Sequence, residues 1–180
     1  MEILQADPSP TAKRRTGRLA YSVLKKLGEG GFGSVSLVRY KATGEVCVMK
    51  EVKLRGLSEH SLRRSREEAD VLKRLRHPHL IAYRDSFVEK ALTTLFIVME
   101  YADGGDLESL VDTRAAQGER FAEPEVLRLL SQCVSALTYC HHVQHLLHRD
   151  IKPGAVQIKT APLVFTYSTK PCTMALAEKP

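Results

Sequence analysis

The sequence predicts an α+β fold: an antiparallel sheet with one packed helix over residues 19–101, then a shorter, mostly helical region at 102–155. Three observations predict it. Alternating, β-branched runs flank a glycine cluster at 28–33, which reads as strand, tight loop, strand. The nearly all-apolar run Thr94 to Glu100 reads as a buried strand,. After Pro124, apolar residues recur at spacings of four and three, the stripe of an amphipathic helix,.

Composition narrows the class. Hydrophobic residues make up 43% and charged residues 27%, which excludes fibrous and disordered chains. At 180 residues the chain can bury one full core or two small ones,. The net charge of +6 owes much to Lys13-Arg14-Arg15 and the run Arg63 to Arg76. That sign suits nucleic acid or acidic lipid, yet no repeated basic–aromatic spacing accompanies it, so no nucleic-acid partner is expected. Cys47, Cys133, Cys140 and Cys172 show no paired spacing and read as reduced thiols. Residues 1–20 lack an apolar signal core, and no apolar run is long enough to cross a bilayer,. A cytoplasmic protein without a membrane partner is expected, with the nucleus as the other compartment.

Residues 1–18, with Pro8, Pro10 and a basic cluster, read as a flexible leader. Tyr21 to Leu27 reads as a strand leading into Gly28-Glu29-Gly30-Gly31-Phe32-Gly33. A dinucleotide fold would place a helix directly after such glycines. Here Val35 to Tyr40 alternates like a second strand. The next strand runs from Glu45 to Val52, with Val46, Val48 and Lys50 on one face and Cys47 and Met49 on the other,. The Val46–Lys50 face is taken as the inward one.

In isolation Lys50 reads as a snorkelling surface lysine; as a held charge in a closed cleft it would need a carboxylate partner. Ser61 to Arg76 reads as a helix with Leu62, Ser65, Ala69 and Leu72 on one stripe. Glu68 borders that stripe, whereas Glu67 is turned away by one helical step of about 100°. Glu68 is therefore the expected partner of Lys50. Leu80 to Glu89 and Thr94 to Glu100 read as two more strands. Asp106 has the position of a helix cap. Val126, Leu130, Cys133, Leu137 and Cys140 mark the later helix, which ends near His141, His142 and His145. A His pair at i, i+4 could bind a metal. With no third ligand close by, histidines favouring the helix end are the reading preferred.

His148-Arg149-Asp150-Ile151-Lys152-Pro153 resembles the catalytic loop of eukaryotic protein kinases, in the form of the serine/threonine branch,. The other motifs fall in the same order. Gly28 to Val35 resembles the loop that folds over ATP phosphates. Val46-Cys47-Val48-Met49-Lys50 resembles the strand whose lysine holds the α- and β-phosphates. Leu95 to Tyr101 resembles the strand entering the hinge. The pattern around Val98-Met99-Glu100-Tyr101, Gly104-Gly105-Asp106-Leu107 and Tyr139-Cys140-His141 is most similar to the NIMA-related (Nek) kinases.

The resemblance implies a protein-kinase-like fold, with a complete small lobe and only the first helices and catalytic loop of the large lobe. It implies transfer of phosphate from ATP to serine or threonine of a protein substrate. Asp150 would accept the substrate hydroxyl proton, Lys152 would face the transferred phosphoryl group, and Arg149 would meet an activation-loop phosphate. Leu27, Gly28, Gly30, Gly33 and Val35 would cover the nucleotide. Val48 would pack on the adenine, Met99 would stand behind it, and Glu100 and Ala102 would pair with its edge. Asp106 would lie near the ribose or the substrate.

The pattern then breaks. The family's asparagine, a ligand of the second Mg²⁺, is replaced by Ala155,. Residues 156–180 contain no aspartate, and Glu178 is their single acid, so no Asp-Phe-Gly follows. Mg²⁺ seeks hard oxygen ligands, and here neither metal of the complete family domain would be held. Gln157 stands where the family places an apolar floor under adenine. Residues 156–180 are therefore expected to be a non-kinase tail, through truncation, splicing or a shifted frame, and this form of the chain is expected to be inactive. An apolar stripe on the later helix would be left for a protein partner. The alternative is a catalytically inactive kinase-like fragment that binds nucleotide or a protein.

Overall fold

The computed structural model describes residues 17–30, 33–54, 58–89, 94–148, 150–159, 164–165 and 175–176. The side chains of residues 60–62, 64–66, 68 and the last two pairs lie outside that description, as do residues 1–16 of the predicted leader. A 3-10 turn, Gly17–Ala20, leads into β1 (Tyr21–Gly30), β2 (Gly33–Tyr40) and β3 (Val46–Lys53). Next come the helix α1 (Glu59–Arg74) and two strands, β4 (Tyr83–Glu89) and β5 (Thr94–Glu100). These strands form one antiparallel sheet in the order β1-β2-β3-β5-β4. β4 begins at Tyr83 rather than at the predicted Leu80. The backbone bonds Leu80 N–H to His77 carbonyl at 3.1 Å, turning the chain there, and buries Leu80 and Ile81 as anchors.

Alternation along the strands gives the sheet two buried faces. Cys47, Met49, Phe96 and Val98 cluster with Tyr21 and Val38 on one face. Val52, Leu95 and Ile97 cluster on the other with Ala69 and Leu72 of α1 and with Leu75 just beyond it. The face predicted to be inward is thus the less sealed one at β3. Cys47 and Met49 are 2% and 3% exposed, whereas Val46, Val48 and Lys50 are half-buried. On that face Val52 is sealed in the cluster that holds Ala69 and Leu72 of α1, whereas the Val46–Lys50 stretch stays half-buried.

The α1-side core extends without a break into the helical region. After α2 (Leu107–Ala116) and α3 (Glu123–Thr138), Ala136 and Cys140 join the same cluster, as do Leu146 and Val156. The predicted α3 stripe is only half buried. Cys133 packs on the core, but Val126 and Leu130 are exposed, together with Leu127 and Val134. Only the C-terminal half of the helix reaches the sheet's core. A π turn, Tyr139–Val143, closes the helix and leaves His141, His142 and His145 exposed. The joint between α2 and α3 is a bidentate pair, Arg114 to Glu125 at 3.0 and 3.1 Å, with Arg114 also 4.2 Å above the Phe121 ring.

After β6 (Leu146–Leu147), a 3-10 turn at Pro153–Ala155 leads to β7 (Val156–Gln157). Two further pairings follow: β7 with β8 (Val164–Phe165), and β6 with β9 (Ala175–Leu176). Residues 164–165 and 175–176, read from sequence as tail, thus sit beside the loop that carries Asp150.

The turn before β4 joins sheet and helices through His77. Its ring stacks on Tyr139 at 5.3 Å. Its Nδ1 accepts from His79 N–H at 3.1 Å, so the proton of the neutral ring belongs on Nε2, 3.2 Å from Ser135 Oγ. Burial first, then His79, lowers the His77 pKa below 6.5. Protonation would cost the Nδ1 acceptor, so the unfolded chain binds the proton more readily. Stability contributed here is complete above the unfolded pKa of about 6.5 and declines as pH falls through it toward the lower folded value. The urea midpoint is expected to fall between pH 7.5 and 5.5, and less steeply in His77→Phe. Equal slopes in the two chains would refute this.

Candidate nucleotide and phosphoryl-transfer site

The glycine hairpin lies over one end of the sheet. β1 continues through Gly28 and Gly30, with β-bulges on either side of Lys25 and Lys26 that add twist,. Leu27, Gly28 and Gly30 are exposed; Gly31 and Phe32 lie outside the described residues. No atom stands within 4 Å of where a Cβ would be at Gly28 or Gly30. Gly33 differs. Its φ is +148°, and a Cβ there would fall 1.8 Å from the Glu51 carbonyl oxygen. Of the described glycines in this hairpin, Gly33 is the one that the chain's own backbone requires.

Below the hairpin, Val35 pairs with Lys50, and Lys50 with Ile97. One step along, Val48 stands between Leu37 and Met99. Val35, Val48, Lys50 and Met99 are all half-buried. Lys50 shares its face with Val52, the face against which α1 packs,. The sheet therefore presents Lys50 toward the helix that carries Glu68. The Glu68 side chain lies outside the described residues, and neighbouring Glu67 is exposed.

At the hinge, Met99 touches both the main core and a small cluster of Ile81 and Ala102. Glu100 N–H donates to the Ala82 carbonyl at 2.8 Å. Sequence reasoning missed what the Glu100 carboxylate does: it forms an ion pair with Lys159 and accepts from Ala82 N–H at 3.4 Å. Gly104 N–H donates to the Ile158 carbonyl at 2.7 Å, and Ile158 N–H returns a bond to Gly105 at 2.8 Å. A Cβ on Gly104 would come within 2.7 Å of Ile158. The two backbones can be this close only because Gly104 has no side chain. The alternating run Val156-Gln157-Ile158-Lys159 was the available signal for this strap. Asp106 caps α2, with Oδ1 accepting from Ser109 N–H at 2.8 Å and Oδ2 from Ser109 Oγ at 3.1 Å. Each oxygen keeps a second lone pair.

The loop with Asp150 is anchored by a buried histidine. His148 is 3% exposed, and its Nδ1 accepts from Asp150 N–H at 3.3 Å. Lys152 Nζ stands 3.3 Å from Asp150 Oδ2, an oxygen shut off from solvent. Arg149 lies outside the described residues. Ala155, 2% exposed, puts a methyl group inside the turn where an amide or carboxylate oxygen would be needed for a cation. Among the described residues no three of His, Cys, Asp or Glu converge as a metal site. The donor set around Asp150 does not fit Mg²⁺.

The family profile described as "Protein kinase domain" matches residues 21–163, so it runs past Ala155 through β7. The chain is similar to serine/threonine-protein kinase Nek2 of Mus musculus, 35% identical over 140 residues, covering 76% of this chain and 32% of the relative. It is also similar to Nek1 of Mus musculus, 38% identical over 132 residues (73% of the chain, 11% of the relative). Nek1 of Toxoplasma gondii is 32% identical over 164 residues, 88% of the chain and 10% of the relative. The chain thus spans about a third or less of the length of these relatives.

Proposed function

The chain belongs to the protein kinase family, and from that premise we propose that its site is built to transfer phosphate from ATP to serine or threonine of a protein. The observation that carries this reading is the Asp150–Lys152 pair at 3.3 Å on a loop anchored by buried His148. A carboxylate beside an ammonium suits a substrate hydroxyl: Asp150 takes its proton, and Lys152 offsets charge on the incoming phosphoryl group. Lys50 on the cleft face of β3 holds the α- and β-phosphates, steadied by Glu68 from α1. Val48 and Met99, paired across strands, bound the adenine, and the backbone at Glu100 and Ala102 meets its edge. The open space at Gly28 and Gly30 supports the reading that those glycines serve an approaching phosphate.

We further propose that these 180 residues bind ATP but transfer phosphate poorly. Mg²⁺ supplies charge neutralisation in the complete family site. Here Ala155 offers no oxygen to it, and residues 156–180 contain no aspartate. Thermal stabilisation by ATP is therefore expected to be the same, within about twofold in Kd, in Mg²⁺ and in EDTA. Ala155→Asn is expected to make binding tighter with Mg²⁺ than without it. A tenfold or greater Mg²⁺ dependence in the unaltered chain, or efficient phosphorylation of a mixed Ser/Thr peptide pool, would overturn the proposal. A second reading, a protein-interaction module, is favoured by one observation: Val126, Leu127, Leu130 and Val134 are exposed together on α3,.

A further inference from the structure

A second concave site lies on the opposite side of the sheet from α1. Its volume is about 520 Å³, within the range of small-ligand pockets. Three rings line it: Tyr21 and Tyr40, 5.2 Å apart, and Phe87, stacked on Tyr21 at 6.2 Å. Phe96 backs Phe87 at 5.2 Å, so the wall is held from behind. Three charged groups complete the lining: Glu45, Arg84 and Asp85. Arg84 is already engaged, with its guanidinium 2.7 Å from Glu45. Asp85 Oδ2 accepts a long bond from Tyr21 hydroxyl at 3.3 Å. Burial, then the charge of Asp85, keeps the Tyr21 phenol protonated and neutral. What remains is one net negative charge set among aromatic faces.

Aromatic faces are negative at the centre and attract cations, most strongly when a carboxylate is beside them. Delocalised, weakly hydrated cations are the ones most easily desolvated into such a place. We propose that this cavity is a binding site for a flat organic cation, an amidinium, guanidinium or aryl ammonium group, whose charge meets Asp85 while its plane lies among Tyr21, Tyr40 and Phe87. The site lies apart from the nucleotide cleft, because Cys47 lines it from β3 while Lys50, an odd number of residues along the strand, faces the other way.

Calorimetric titration of the 180-residue chain with benzamidine tests it, with the neutral isostere benzamide as comparison. Benzamidine is expected to bind saturably and at least tenfold more tightly than benzamide, with and without saturating ATP. Asp85→Asn is expected to erase the difference. Should that variant fail to fold through loss of the Tyr21 bond, Tyr40→Leu keeps Asp85 and is expected to weaken benzamidine at least fivefold. Equal binding of the two probes, displacement of benzamidine by ATP, or unchanged affinity in the variant that folds would overturn the proposal.

Discussion

Lys50→Met is expected to cut by half or more the stabilisation that ATP confers on this chain. At a ligand concentration of about one hundred times Kd, binding raises stability by about 2.7 kcal/mol. For a chain of this size that corresponds to roughly 5–10 °C in Tm. A charge-assisted hydrogen bond contributes about 1.5–3 kcal/mol, so losing the ammonium weakens binding by about 10- to 100-fold and removes roughly half to five-sixths of the shift. Methionine keeps the length and apolar stem, and Lys50 stands between Val35 and Ile97 in a half-buried position. The unliganded Tm should therefore move little. A variant with an unchanged ATP-induced shift would show that the triphosphate is held elsewhere.

Gly33→Ala is expected to damage the fold, while Gly30→Ala is expected to damage only binding. At Gly33 the backbone has φ +148°, and an added Cβ would meet the Glu51 carbonyl oxygen at 1.8 Å and its carbon at 2.8 Å. Those are main-chain atoms of β3, paired one residue away from Lys50. Relieving the clash means moving the strand that carries the lysine. Backbone strain of about 1–3 kcal/mol adds to an overpacking cost of about 1–3 kcal/mol, so a loss of about 3 kcal/mol or more is expected in urea unfolding. At Gly30 nothing lies within 4 Å, and the urea midpoint should hardly change. If the phosphates approach the loop there, the ATP-induced shift falls all the same. Equal stability of the Gly33→Ala chain would mean that the hairpin relaxes without cost. An unchanged ATP shift in Gly30→Ala would remove the phosphate role from that glycine.

Sequence and structure agree where the signal is local. The strand–glycine–strand reading, the buried strand at 94–100 and the helix over α1 all rest on alternation or helical spacing, and each forms as expected. The cap at Asp106 is equally local, a short polar side chain reaching the N–H three residues on. Sequence left open the degree of burial where that depends on a neighbour distant in the chain. Val46, Val48 and Lys50 read as an inward face, but how sealed that face is depends on where α1 crosses the sheet. Val126 and Leu130 carry the same periodicity as Cys133 and Cys140, yet only the latter end of α3 meets the core. Periodicity identifies a stripe without saying what covers it.

The candidate site divides in the same way. The family resemblance pointed to the loop with Asp150 and Lys152, the lysine on β3 and the alanine at 155, because these are residue identities at fixed spacing. The ion pair of Lys159 with Glu100 joins residues 59 apart, and no spacing rule reaches that far. Likewise Gly104 and Ile158 need each other's backbone only after the chain has folded back on the hinge. Sequence by itself determined which chemical groups are present and in what order, and so which chemistry can be proposed for them. Tertiary structure decided which faces are covered, which glycine is obligatory and which charges meet, because those depend on distances through space that chain order does not encode.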